Sequence, residues 1–147
     1  MKLFVAAISL VIFAGFAVAE EKKKFDPASI QGKWIFTGGT KAGTKVEEGS
    51  LKAEVTITKD TITIKDASET HVMTFKLDTT KSPIEINMEG KEGPAKGTTG
   101  EGIIEIEGDT LKLAYSTNIP GFDGKRPTKF ESTKDNKAFL FMLKKAK

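Results

Sequence analysis

A chain of 147 residues has room for one domain and no second core. It contains no cysteine, which excludes disulfides, thiolate nucleophiles, redox motifs and thiolate metal sites and leaves apolar burial to hold the fold. The formal charge of +3 comes from 23 basic and 20 acidic side chains with one arginine among them, so no arginine-rich stripe argues for nucleic acid as a partner.

Met1-Lys2 gives a short positive start, Leu3 to Phe16 is an apolar run interrupted by Ser9 and Gly15, and Ala17-Val18-Ala19 has the small-x-small ending that signal peptidase requires. The expectation is a signal peptide over 1–19, cleavage after Ala19 and an exported protein, periplasmic or secreted, whose intact mass begins at Glu20. The run is shorter than the roughly 20 apolar residues of a membrane span. Residues 20–27 read as a charged tether and 28–147 as the folded domain. Losing Lys2 with the signal lowers the formal charge to +2. Lysine clusters at Lys22 to Lys24 and at Lys144, Lys145 and Lys147 are read as solvated ends that could make a weak envelope contact.

Asp26-Pro27 can open a helical turn, because aspartate caps free N–H groups and proline suits the first helical position. Gly32 follows too soon for a longer helix. From Lys33 onward the apolar residues recur at period two, with no sustained helical period. Trp34 and Phe36 share a face of the first strand, expected to end at Gly38-Gly39. Val55 and Ile57, Ile62 and Ile64, then Met73, Phe75 and Leu77 follow, with turns between them. Ile84, Ile86 and Met88 precede a turn region from Gly90 to Gly100. Ile104 and Ile106 lead through the hairpin signal Gly108-Asp109 to Leu111, Leu113 and Tyr115, and Phe139, Phe141 and Leu143 close the series. Thr56, Thr63, Lys76, Glu85, Asn87, Glu105 and Lys112 lie between the apolar positions and should face water. About eight short strands with one dry face predict an all-β fold, an antiparallel up-and-down barrel with a short N-terminal helical turn.

Four stretches carry a resemblance. Ile30-Gln31-Gly32-Lys33-Trp34, Leu77-Asp78 with Ser82-Pro83-Ile84-Glu85-Ile86, Gly102 to Leu113, and Arg126-Pro127-Thr128-Lys129-Phe130 together resemble the short lipocalin-like domain of planctomycete bacteria, most of whose members are uncharacterised. The resemblance runs from about Ser29 to Lys144. It implies a lipocalin-like barrel with Gly32 and Trp34 at the closed end and a basic side chain from late in the chain over the indole. Arg126 is the candidate for that partner, although in lipocalins proper the arginine stands near the end of the last strand, where this chain has Lys144 and Lys145. The resemblance brings no ligand and no catalytic residue.

Several constellations could in principle carry chemistry. Gly38 to Lys45 misses the phosphate-loop pattern, since its Gly-Thr-Lys order runs into a strand and not a helix. His71 is the only histidine, so no second imidazole supports a metal site; it is expected exposed at a strand start, with a pH-sensitive contact as its conceivable use. Glu85 with Glu89 and Glu105 with Glu107 read as solvated outer faces and not as acid/base pairs. Nothing here makes an enzyme or calls for a cofactor or metal. The segment Tyr115 to Pro127 excludes regular structure yet carries Ile119 and Phe122, either as a lid over a mouth or as a plug over one barrel end. Tyr115, Ser116, Asn118, Ile119 and Phe122 are therefore the candidate contacts of a small apolar ligand. The alternative is a structural or interaction protein of the cell envelope with a solid core and no small-molecule ligand, an option strengthened by some twenty bulky inward residues; on either reading a monomer is expected.

Overall fold

The computed structural model describes residues 25–147. The signal peptide expected over 1–19, the start of the tether and Lys22 to Lys24 lie outside the described residues.

A 3-10 turn over Pro27–Ile30 opens the described chain, with the Asp26 Oδ1 accepting the Ala28 N–H at 2.9 Å and proline at its first position. Phe25, just before it, packs against the core, so the folded part reaches back into the segment read as tether. The strands are β1 (Gly32–Lys41), β2 (Thr44–Lys45), β3 (Glu54–Ile57), β4 (Thr61–Lys65), β5 (Thr70–Asp78), β6 (Ile84–Glu92), β7 (Thr99–Glu107), β8 (Thr110–Thr117) and β9 (Phe139–Lys145), with a second 3-10 turn at Glu48–Leu51. All pairings are antiparallel, and β9 pairs back onto β1. Eight strands thus close an up-and-down barrel, and the two-residue β2 extends beside the end of β1. Closure removes the free edges that such threonine-rich strands would expose.

Phe36, Phe75, Ile106 and Phe141 belong to one core cluster, together with Trp34, Ile57, Ile86, Ile104, Leu111 and Leu143. The interleaved threonines and charges face outward, as the period-two pattern requires. Trp34 is fully buried, and its indole N–H donates to the Ile30 carbonyl at 2.8 Å, tying the opening turn to the barrel. Burying an indole of this size contributes roughly 4 to 6 kcal/mol of transfer free energy.

The first strand continues past Gly38-Gly39 to Lys41, the point where the sequence suggested it would stop. A bulge between Phe36 and Gly38 shifts the register against β9 and turns Gly39 inward. A Cβ there would stand 2.9 Å from the Phe141 ring, so glycine leaves the space that ring fills. The Gly-Thr-Lys stretch is the β1–β2 hairpin with Ala42 and Gly43 at positive φ, as its strand-connection reading implies.

Residues 118–138 form no strand or helix and pass over the outside of β6 to β9 as a strap. Ser116, Ile103 and Ala114 are buried although they alternate with inward residues, and at Ser116 the strap's Asp123 takes the hydroxyl. The strap is fastened at its return by the Ala42 N–H to the Ala138 carbonyl (2.9 Å) and by the Gly43 N–H to the Ser132 hydroxyl (3.0 Å).

Candidate functional site: an apolar cavity in the barrel

Trp34 and Ile30 close one end of the barrel, and above them lies a cavity of about 270 Å³. Ile57, Ile62, Ile64, Met73, Leu111, Leu113, Tyr115, Phe141 and Leu143 are among the residues that line it. It opens toward the other end between Val46, Ser50, His71 and Ala95. Gly39, Gly90, Gly100 and Gly102 hold inward positions beside it, where a Cβ would meet the Phe141 ring, the Ala95 carbonyl, the Met88 methyl and the Ala114 carbonyl respectively. At Gly90 the main chain itself needs the room: a Cβ would fall 1.8 Å from the Ala95 carbonyl, and this close approach folds the β6–β7 loop inward and places Ala95 at the mouth.

The mouth is polar on one side. The Asp66 Oδ1 accepts the Ser68 N–H (2.8 Å), the Ser68 hydroxyl (3.0 Å) and the Glu69 N–H (2.7 Å), which hold its carboxyl below the usual value of 3.8. Its Oδ2 faces the His71 Nε2 at 3.8 Å, and a Glu69 oxygen stands at the same distance. His71 is a half-buried wall of the mouth, with 25% side-chain exposure, where the sequence suggested an exposed strand start. Its short spacing from Asp66 and Glu69 was the signal that could have marked it. Among the described residues these three form the one group whose ligand-capable atoms gather within 4.8 Å of one another. Three such ligands fall short of the four of a structural zinc site. Burial raises the Tyr115 phenol well above its ordinary value of 10.0, so it stays neutral at the cavity wall.

The residues nominated from sequence divide sharply. Tyr115 lines the cavity. Ser116 points the other way, buried under the strap, where its hydroxyl donates to the Asp123 Oδ1 at 3.3 Å. Asn118 fastens the β7 start through its Oδ1, which accepts the Thr99 N–H at 3.0 Å. Phe122 stacks on Phe139 with centroids 4.7 Å apart, and Phe139 on Tyr115 at 4.8 Å. Neither Ile119 nor Phe122 lines the cavity, so the strap is a side covering and not its lid. Val46, Ser50 and Ala95, which do form the mouth, carry no local sequence signal beyond an apolar valine inside a polar loop.

The pairing of Arg126 with Trp34 is overturned. The Lys145 Nζ, from the end of the last strand, stands 5.7 Å from the indole centroid. Arg126 is on the outer wall across the β6–β7 seam: its Nη1 donates to the Ile86 carbonyl (3.1 Å) and the Gly102 carbonyl (2.7 Å), and its Nη2 to the Asn87 Oδ1 (2.7 Å). Its Nε meets Glu85 at 3.2 Å. The planar fork suits this set of fixed acceptors, which a lysine could not satisfy together. Gly32, at φ +125° ahead of Trp34, keeps its place at the closed end.

No family model, no curated protein and no solved structure gives a significant match to the chain.

Proposed function

We propose that the barrel is a binding module for one small apolar molecule, held in the cavity above Trp34. The observation that carries this reading is the cavity itself: about 270 Å³, walled by aliphatic and aromatic side chains and open between Val46, Ser50, His71 and Ala95. This is just under the roughly 300 Å³ at which drug-sized sites begin. An apolar cavity of about 150 Å³ takes benzene, so by proportion this one suits about ten non-hydrogen atoms. A few placed polar groups, Tyr115, Ser50 and His71, accompany the apolar wall, as in most small-molecule sites. The ordered motifs that resemble a lipocalin-like domain point the same way by analogy of fold alone.

A linear eight-carbon alcohol has the right size. Burying seven methylenes at ~0.8 kcal/mol each corresponds to a Kd on the order of 0.1 mM. Calorimetric titration with 1-octanol should show one saturable site, and Leu113→Phe or Ile64→Phe, each of which fills the cavity, should weaken it at least tenfold, roughly 1.4 kcal/mol. Retained cooperative unfolding shows that each variant still folds. Absence of saturable binding to the unaltered protein rejects the reading and restores the solid-core alternative.

A further inference from the structure

The lining and the rim of the cavity together specify the head group of its occupant, on the premise that the cavity binds an apolar ligand at all. None of its lining side chains carries a fixed charge; Ser50, His71 and Tyr115 are its polar members. An ionised group drawn to the floor would lose its hydration with no counter-charge in return, so a charged head must stay at the mouth.

There the charges nearest His71 are carboxylates. His71 both lines the mouth and stands 3.8 Å from a carboxylate oxygen of Asp66 and of Glu69. Two carboxylates against at most one imidazolium leave negative charge in either protonation state of the histidine. The separations exceed hydrogen-bond reach, so neither oxygen is consumed by the imidazole. The Asp66 Oδ1 is committed to the main chain of its own turn, which orients the Oδ2 toward His71. On the strap side of the rim the Lys41 ammonium is turned onto the Phe122 and Phe139 rings, at 5.6 and 5.5 Å from their centroids.

We infer that the barrel selects small apolar molecules with a cationic head, the chain filling the cavity and an ammonium resting between Asp66 and Glu69, and that it discriminates against carboxylates of the same length. An ammonium presents three donors to carboxylates that can only accept, whereas a carboxylate head meets two like charges against at most one imidazolium.

Octylammonium, 1-octanol and octanoate form the test series, titrated calorimetrically at neutral pH and about 0.1 M salt so that distant charges are screened. Octylammonium should bind at least ~10-fold tighter than octanoate. In Asp66→Asn with Glu69→Gln the ratio should fall to within ~3-fold, because the charges are gone while the shorter amide side chain keeps the oxygen that accepts the turn N–H groups. The ratio between head groups is the readout, since a general loosening of the mouth lowers both affinities together. Octanol binding with octanoate equal to or tighter than octylammonium overturns the head-group inference and leaves the cavity reading standing. A preference that survives the double substitution overturns the assignment to Asp66 and Glu69. No binding by any of the three overturns the cavity reading, and this inference with it.

Discussion

Arg126 joins five residues that lie on neighbouring strands, Glu85, Ile86 and Asn87 of β6 with Glu101 and Gly102 of β7, and so pins the strap where two strands meet. With 22% of its side chain exposed it is only partly screened, and Arg126→Ala should cost about 2 kcal/mol, most of it from carbonyls left without a donor. Urea unfolding measures this, and an unshifted midpoint rejects the seam-pinning role. Three aspartates set the response to acid. Asp66, Asp78 and Asp123 each accept main-chain N–H and hydroxyl donors, which hold their carboxyls below 3.8 in the folded state. The unfolded chain therefore takes up protons first as pH falls. Their contribution is complete above the ordinary value and is lost as pH drops through the depressed folded values. Melting temperature should be level near neutrality and fall as pH drops below about 4, and the Asp66→Asn, Asp78→Asn, Asp123→Asn triple variant should flatten that fall. An equally steep acid limb in the triple variant refutes the assignment.

At the scale of elements, β7 shows how absent side chains shape a wall. Gly100 and Gly102 face Thr117 and Tyr115 across the ladder, and a Cβ on Gly102 would stand 2.4 Å from the Ala114 carbonyl and 2.6 Å from the Tyr115 Cβ. The obstacles are main chain and a Cβ, neither of which can rotate away. Gly102→Ala should therefore cost about 3 kcal/mol or more, read as a lowered urea midpoint; a cost under about 1 kcal/mol contradicts the close packing of β7 on β8. The strands themselves were legible because alternation along each one records which side is dry, and eight such runs in series leave few alternatives to a closed antiparallel wall. The same alternation separates Tyr115 from Ser116, since adjacent strand residues cannot share a face. What alternation does not encode is where loops land. The mouth is built by Val46, Ser50, His71 and Ala95 from three separate parts of the chain, which only the closed barrel brings together. Trp34 acquired Lys145 and not Arg126 for a related reason: β9 pairs with β1 so that Lys145 lies opposite Trp34, while the strap carries Arg126 around the outside.

For the whole molecule, the two ends of the barrel are built differently. One is sealed by an indole hydrogen-bonded to the opening turn, with the Lys145 ammonium over it; the other keeps an inturned loop, and the space between them is the cavity. Bulky inward residues in eight strands suggested a filled interior, but the walls they form leave about 270 Å³ between them. Methyl NMR of the protein during addition of 1-octanol tests this arrangement most directly. Saturable shifts confined to Ile57, Ile62, Ile64, Met73 and Leu113, with Ile119 of the strap unmoved, are the expected result. Shifts centred on Ile119, or none that saturate, would contradict it.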